Sequence, residues 1–293
     1  MTGSSGARAH PLALLVFVGL VLAFGTMWPA MRVAVEEMPV LAFRAISGCV
    51  AATCLFAVAA LGRQALRIPR GQFRPLLIAA LFNVTGWQLF SAYGVQELPA
   101  GRASLIAYTL PVWTFLFSIP LLGERFTLWR LAGLLLALAG VGVMMGDDLV
   151  RLGDAPRGVA AILAASVCFS FGTVWQKRVA WRMPHLAVSA WQSLLGAVPI
   201  VLLALPDLAV LEMPSTRGIV AVAYGTLIGQ VFGIAAYLWL VGALPVKTLS
   251  LSVLLVPLVG LTSSALLLGE PISPVLLVAA ALIFAAIGTS FRK

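Results

Sequence analysis

The chain has 293 residues, 61% of them hydrophobic and only 10% charged, and its mean hydropathy is +1.06. A soluble domain carries about a quarter charged residues, so this composition excludes a water-exposed globular protein and predicts one that has lipid as its solvent. The net charge of +9 would favour a nucleic-acid partner only if the basic residues formed one solvated patch. They lie in short segments between apolar runs instead, so we expect no nucleic-acid partner.

A membrane-spanning helix needs ~20 predominantly apolar residues, and ten runs of that kind follow a polar tail at 1–10. The first five runs lie at 12–30, 40–61, 75–95, 100–121 and 128–145. After a polar segment, the second five lie at 158–175, 186–205, 218–242, 247–268 and 272–291. The predicted fold is therefore an all-α membrane protein with ten transmembrane helices.

The second group of runs repeats the first. Residues 98–124 and 244–270 are identical at ten of 27 aligned positions, among them two prolines and one glutamate. The pattern Phe-Gly-Thr-x-Trp also occurs twice, ending at Trp28 and at Trp175. The chain holds only six glutamates, so the glutamate match indicates an internal duplication.

Four segments follow from this duplication. We expect a cytoplasmic tail at 1–10, a first five-helix repeat at 11–147, a linker loop at 148–157 and a second five-helix repeat at 158–291. Five is an odd number, so the second repeat enters the membrane inverted relative to the first. Two inverted repeats around a central cavity are typical of transporters that open a midplane site to each side in turn.

Loop charges agree with the inversion and predict the orientation. The side of the two chain ends carries 13 Lys and Arg, against five on the other side, and the matched Arg32 and Arg178 fall on opposite sides. Positive loops mark the cytoplasmic side. We therefore expect a multi-pass protein of the inner (plasma) membrane with both termini in the cytoplasm.

In both repeats a mid-helix proline precedes the motif Leu-Leu-Gly-Glu, with Pro111 before Glu124 and Pro257 before Glu270. In this motif, its ten runs and its duplication, the chain resembles the drug/metabolite transporter superfamily, EamA type, over nearly its whole length. The resemblance implies a permease that exports small metabolites, with bacterial exporters of amino acids, including aromatic ones, as the nearest comparison. The substrate itself does not transfer with the fold.

Polar side chains inside the runs are expected to face other helices or water rather than lipid, and amides need several hydrogen-bond partners. The candidate substrate-binding residues are aromatic or carry amides: Trp28, Asn83, Trp87, Gln88, Tyr108, Trp175, Gln176, Trp191, Gln192, Tyr224, Gln230 and Tyr237. Asn83 and Trp87 share one face of the third helix. For Trp28 and Trp175, an interfacial aromatic belt is the alternative interpretation.

Prolines and charges near the pathway have separate expected roles. Pro111 and Pro257 are expected to act as hinges in gating, because proline interrupts helical hydrogen bonding. Glu124 and Glu270 are expected to anchor the exposed amides of the helix that follows each of them. Arg44 either extends to the interface or meets a substrate carboxylate. No Asp, Glu or His lies in the middle of a run, so the predicted cavity is uncharged.

An intramembrane enzyme or a channel is the alternative class. Metalloproteases need clusters such as HExxH, yet His10 and His185 are the only histidines. The sequence offers no facing pair of intramembrane carboxylates and no glycine-rich phosphate loop. The odd number of cysteines, all inside apolar runs, favours small core residues over a metal or disulfide framework. We expect no catalytic residue, no metal and no cofactor.

The sequence thus favours an exporter of small metabolites by alternating access through a central uncharged cavity. Amino acids, aromatic or other apolar ones included, are the first hypothesis, because an aromatic and amide-bearing cavity suits a zwitterion with an apolar side chain. A multidrug or other metabolite exporter of the same fold is the second. The expected partners are the small-molecule substrate and the bilayer, with the protein as a monomer or weak homodimer.

Overall fold

The structure is a computed structural model that describes residues 11–124, 128–151, 155–244 and 246–289, and all regular structure in these ranges is helical. The first repeat contains five helices: α1 (Pro11–Glu37), α2 (Val40–Leu61), α3 (Phe73–Glu97), α4 (Ala100–Leu122) and α5 (Leu128–Arg151).

The second repeat contains five more helices: α6 (Ala155–Arg178), α7 (His185–Ala209), α8 (Thr216–Ala243), α9 (Val246–Leu268) and α10 (Pro274–Thr289). Seven of the ten have stretches long and apolar enough to cross a bilayer, and shorter apolar stretches lie in α5, α9 and α10. The predicted ten-helix, two-repeat membrane fold is confirmed. With an even number of crossings, residues 11 and 289 lie on the same face, here named the terminal face; the other is the opposite face.

Two predicted boundaries differ from the structure. The first helix was expected to end at residue 30, but α1 continues through Pro29 to Glu37. A proline is tolerated inside a membrane helix when neighbouring groups satisfy the carbonyl it frees. The segment at 148–157 was expected to be a loop, yet α5 runs to Arg151 and α6 begins at Ala155. The predicted tail at 1–10 lies outside the described residues.

The first helix of each repeat packs against the third and fourth helices of the other repeat. Helix α1 packs against α8 and α9, and its counterpart α6 packs against α3 and α4. The remaining helices pair with their own counterparts, α2 with α7 and α5 with α10. A two-fold operation that relates the halves produces this pattern, because it maps each contact onto its partner.

Matched π-helical segments interrupt the third helix of each repeat. They span Leu81–Gly86 in α3 and Gly225–Phe232 in α8. Each π turn inserts an extra residue into the helix and re-aims the side chains beside it, and such insertions occur frequently at functional sites. The residues that follow, from Trp87 and from Gly233, resume α-helical geometry.

The fourth helices of the two repeats differ. Helix α4 is broken between Ala107 and Leu110, whereas α9 is continuous through Pro257. Pro111 has no N–H, so the carbonyl of Ala107 lacks its usual donor. The Ser166 hydroxyl of α6 lies 3.2 Å from that carbonyl oxygen, and Ser170 donates to the Leu110 carbonyl at 3.0 Å.

The serines beside the break have no hydroxyl counterparts in the other repeat. At the offset that matches Trp28 to Trp175, the counterparts of Ser166 and Ser170 in α1 are Gly19 and Ala23. Neither has a side-chain donor, and α9, which packs against α1, is continuous.

Candidate functional site

Four aromatic side chains meet near the middle of the bundle and are named here the aromatic layer: Trp28, Trp87, Tyr108 and Phe169. The rings of Trp28 and Trp87 have centroids 6.2 Å apart at an interplanar angle of 81°, and Trp87 lies 5.0 Å from Phe169. Tyr108 packs against the same core cluster. Trp28 is 2% exposed, so the alternative that it belongs to a lipid-facing belt is wrong.

Close packing of α9 brings the aromatic layer together with α4. A Cβ added at Gly260 would lie 2.7 Å from the Ser104 Oγ and 3.5 Å from Trp28 Cδ1. Only glycine leaves room for this approach. The layer is therefore bounded on this side by the backbone of α9.

A cavity of about 390 Å³ lies on the terminal side of the aromatic layer, between α4, α5 and α6. Tyr108 and Pro111 line its inner part, and Thr173 lines its α6 wall. Glu124 and Lys177 line the end near the terminal face, with Lys177 Nζ 3.7 Å from Glu124 Oε1. The cavity thus extends from the central aromatic residues toward the end of the bundle where the chain begins.

Three predicted amide side chains form a second group, named here the amide cluster: Asn83, Gln176 and Gln192. Asn83 Nδ2 donates to Gln176 Oε1 at 3.0 Å and to Gln192 Oε1 at 3.3 Å. Gly172 allows this approach, because a Cβ there would overlap the Asn83 side chain. Asn83 Oδ1 and Gln192 Nε2 are buried without a partner, which leaves one acceptor and one donor for a polar ligand.

A third group, named here the arginine pocket, contains Arg44, Ser91 and Thr226. Arg44 is only 5% exposed, and its Nη2 donates to Ser91 Oγ at 3.0 Å. The expectation that Arg44 extends to the interface is wrong, since its guanidinium points inward between α1, α2, α3 and α8. The predicted uncharged interior is wrong for the same reason. Thr226 shares a small pocket with Arg44.

Three other predicted residues lie near these groups. Gln230 lines the arginine pocket. Gln88 is buried, and its backbone carbonyl accepts a hydrogen bond from the Ser91 hydroxyl at 3.4 Å. The Tyr224 hydroxyl lies 2.6 Å from Thr26 Oγ1 and joins α8 to α1.

Three predicted aromatic residues are not brought into the interior groups. The Trp175 indole donates to the Pro75 carbonyl at 3.1 Å, and the Trp191 indole donates to Leu66 at 2.8 Å. Both therefore fasten the segment that enters α3. Tyr237 is 44% exposed on the outer surface of α8.

Glu270 contacts a different helix from the one expected. Its two carboxylate oxygens accept from the backbone N–H groups of Ala100 and Gly101 at 2.7 and 2.9 Å. These are the first amides of α4, in the other repeat, and not those of the following helix. Glu124 accepts from Ser118 Oγ at 3.0 Å, within its own repeat.

Sequence reasoning missed two contributors at the opposite face. Glu37 accepts from the Ser215 backbone N–H at 2.9 Å and from its hydroxyl at 2.7 Å, at the start of α8. Arg32 Nη1 donates to the carbonyls of Val95 and Gln96 at 2.7 and 2.9 Å. The repeated Arg-Val-Ala was the available signal for Arg32, because it placed Arg32 and Arg178 at matched positions.

No group of three or more His, Cys, Asp and Glu side chains within the described ranges could hold a metal ion. The groups described above can bind a ligand through aromatic faces, amides, hydroxyls and the Arg44 guanidinium.

Comparison with known proteins agrees with this architecture. A model of the EamA-like transporter family matches residues 11–146 and again residues 156–292. A probable terminal-alkyne amino-acid exporter from Streptantibioticus cattleyicolor is 30% identical over 278 residues, covering 92% of this chain and 90% of that protein. A probable amino-acid metabolite efflux pump from Salmonella typhimurium is 28% identical over 294 residues, covering 94% and 91%.

A solved crystal structure aligns with 96% of this chain and 97% of its own chain, with a TM-score of 0.66 at 24% identity. This likeness shows a shared fold. The two family matches together span nearly all of the sequence. The predicted resemblance is confirmed, and the chain belongs to the EamA-like transporter family.

Proposed function

We propose that this protein exports amino acids, including aromatic and other apolar ones, across the inner membrane by alternating access. Membership of a transporter family supports transport, and two relatives whose names refer to amino-acid export support the substrate class. The aromatic layer and the amide cluster suit a zwitterion with an apolar side chain.

The matched residues Arg32 and Arg178 have different surroundings. Arg32 fastens the end of α1 to carbonyls at the end of α3, and its Nε pairs with Glu36 at 2.7 Å. Arg178 ends α6 at the terminal face and is exposed, with no hydrogen bond or ion pair among the described residues. Among the described residues, one of the two matched arginines therefore has hydrogen-bond partners and the other has none.

The helix contacts around these two arginines differ in the same way, with more extensive contact at the Arg32 end than at the Arg178 end. Helix α1 contacts the second half of α3 near the opposite face, whereas α6 makes at most marginal contact with the corresponding part of α8 among the described residues. The cavity of about 390 Å³ lies on the terminal side. The interior is thus closed toward the opposite face and more open toward the terminal face.

Inverted repeats can exchange such arrangements, because each half can adopt the packing of the other. In the exchanged state α6 would pack against α8, and Arg178 would reach the carbonyls at the end of α8. With the termini in the cytoplasm, as the loop charges favour, the arrangement described here is the loading state of an exporter.

Efflux from reconstituted vesicles tests the proposal. Vesicles loaded with a panel of labelled amino acids should lose aromatic and large apolar members faster than protein-free vesicles do. Conductance without saturation would point to a channel, and covalent change of a panel member would point to an enzyme. If every member leaves at the protein-free rate, the proposed substrate class is wrong.

The orientation has its own test. A reporter fused after residue 293 should be active on the cytoplasmic side, as should one inserted in the arginine-rich segment between α2 and α3. Activity of either reporter on the periplasmic side would reverse the assignment and make the open cavity face outward.

A further inference from the structure

Arg44 is a buried cation with few partners. It is the only charged residue in α2 and lies about one turn from the opposite face. A guanidinium has five N–H donors, yet within the described residues Arg44 contacts only Ser91 Oγ, Met31 Sδ at 2.6 Å and the face of Phe43. A thioether sulfur is a weak acceptor. Nε has no hydrogen-bond partner at all.

No carboxylate neutralises this charge. Among the described residues, no Asp or Glu lies within ion-pair distance of Arg44. A buried charge without a partner is strongly unfavourable, and charged residues inside membrane spans are usually functional. The position therefore requires an explanation beyond packing.

A second unpartnered polar group faces the same pocket. Thr226 Oγ1 is buried without a hydrogen bond, and Thr226 lines the pocket together with Arg44, Ser47 and Gln230. The pocket volume is about 10 Å³, close to the smallest space that holds one water molecule. A Cβ added at Gly225 would meet no heavy atom within 4 Å, so free space adjoins the pocket on the α8 side.

We infer that Arg44, with Ser91, Thr226 and Gln230, binds the carboxylate of the transported molecule. A planar guanidinium recognises a carboxylate through paired N–H···O bonds, and the hydroxyls and amide supply the remaining hydrogen bonds. Trp28 lies one turn from Met31 on α1 and Trp87 one turn from Ser91 on α3, so an apolar side chain would rest against the aromatic layer.

This inference rests on the proposed function and narrows it. The pocket lies on the side that is closed here, and its small volume admits no carboxylate until α8 moves away from α2. The π-helical segment Gly225–Phe232 carries both Thr226 and Gln230, so movement of that segment would enlarge the pocket. A substrate that enters from the terminal side would therefore reach Arg44 with its carboxylate as the protein opens toward the opposite face.

The matched region in the second repeat has different chemistry. Ser189 occupies the position of Arg44, and Gln192 that of Ser47, when the two Met-Pro pairs before α2 and α7 are aligned. That region, with the amide cluster, is neutral and offers both a donor and an acceptor. It does not discriminate between a carboxylate and a carboxamide, whereas the Arg44 guanidinium does.

The test compares phenylalanine, phenylalaninamide and phenethylamine as efflux substrates of vesicles containing wild-type protein, Arg44→Gln, Arg44→Lys or Arg217→Gln. Arg217 is exposed at the opposite face and controls for the lost charge. Wild type and Arg217→Gln should move phenylalanine at least tenfold faster than the amide. Arg44→Gln should move phenylalanine as slowly as wild type moves the amide, and Arg44→Lys should lie between them.

Binding separates this inference from the proposed function. Quenching of tryptophan fluorescence in detergent should report phenylacetate binding at least tenfold tighter than binding of the neutral phenylacetamide, and Arg44→Gln should abolish the difference. If wild type moves no amino acid but still prefers phenylacetate, the proposed function fails and the carboxylate site stands. If Arg44→Gln keeps the preference, or wild type has none, Arg44 is a structural residue with water beside it and the inference is wrong.

Folding is checked by thermal unfolding and size-exclusion chromatography of every variant. Should Arg44→Gln not fold, Thr226→Val and Ser91→Ala serve in its place, because each removes one hydroxyl and retains the cation. Each should lower the preference for carboxylate over carboxamide by about threefold to tenfold, the range expected for one ordinary hydrogen bond. An unchanged preference in both would equally overturn the inference.

Discussion

The contact of α1 with α3 at the opposite face and the contact of α6 with α8 at the terminal face are related by the repeat, but among the described residues only the first is extensive. The acceptors nevertheless match. Leu98 ends α3 with φ −118° and ψ 150°, and Leu244 ends α8 with φ −123° and ψ 150°. The backbone carbonyls that accept from Arg32 at the end of α3 therefore have counterparts at the end of α8, where the helix ends with nearly the same backbone dihedral angles.

This difference indicates which contacts can change between two conformations at a small cost in free energy. Backbone carbonyls at a helix end exist whatever the side chains are, so a cation that moves between them and water gains and loses only a few hydrogen bonds. The aromatic layer is different, because its contacts depend on large buried side chains. The following changes affect the two kinds of contact to different extents.

Removal of the Trp28 side chain should have the largest effect on stability. Trp28 is 2% exposed and packs edge-on against Trp87, so Trp28→Ala should lower the free energy of unfolding by about 3–5 kcal/mol. Thermal unfolding in detergent measures the loss. Trp239→Ala, at a residue 47% exposed, should stay within about 0.5 kcal/mol of wild type. Equal losses would mean that the layer is not a close-packed centre.

Glu270→Gln should cost less, about 2 kcal/mol, because a charge-assisted acceptor on two backbone N–H groups becomes a neutral amide with one acceptor oxygen. The start of α4 should exchange amide hydrogens faster as a result, which hydrogen-exchange mass spectrometry detects at Ala100 and Gly101. Glu212→Gln, at an exposed residue, is the matched control. Unchanged protection of these amides would show that the carboxylate does not hold the helix end.

Arg32→Gln should shift the protein toward opening at the opposite face. The variant loses hydrogen bonds from a charged group to the carbonyls of Val95 and Gln96, and a loss of about 1.4 kcal/mol changes the ratio of two states tenfold. A cysteine at Thr173, which lines the terminal-side cavity, in a background without native cysteines, should then react more slowly with a reagent added on the terminal side. Arg217→Gln should leave the rate unchanged. An equal rate in Arg32→Gln and in the control would show that the hydrogen bonds of Arg32 do not hold the opposite face closed.

The smallest effect is expected at the break in α4. Together, Ser166→Ala and Ser170→Ala remove the hydroxyls that serve the Ala107 and Leu110 carbonyls and should cost about 1 kcal/mol. Thr53→Ala, whose hydroxyl bonds within its own helix at 2.9 Å, is the control and should change the unfolding temperature less. A larger loss in the control would mean that the break needs no donors from α6.

Much of the fold followed from the sequence because the bilayer imposes a length and an apolar composition on every helix. The repeat then supplied the two-fold relation. Trp28 with Trp87, and Asn83 with two glutamines, were among the candidates because aromatic and amide groups inside a membrane need partners. Their distances to one another could not be predicted, since these depend on glycines such as Gly172 and Gly260.

Arg44, Pro257 and Glu270 show where sequence reasoning fell short. An arginine near a helix end reaches water or the interior depending on the rotation of the helix, and only the packing of α2 on α7 fixes that rotation. Pro257 lies inside a continuous α9, whereas Pro111 lies beside a break in α4, and the two prolines occupy matched positions in the repeat. Glu270 reaches across to α4 because the two-fold axis brings the opposite repeat nearer than the following helix. Each outcome is a tertiary property.

The unequal fourth helices have a consequence for the energy of the two end states. A molecule with two identical halves would populate both orientations equally in the absence of a gradient. Here the fourth helix of one half is broken between Ala107 and Leu110, while the fourth helix of the other half, α9, is continuous over 23 residues. Under the proposed alternating access, the two orientations therefore differ in free energy, and the protein prefers one of them even when substrate is equal on both sides of the membrane.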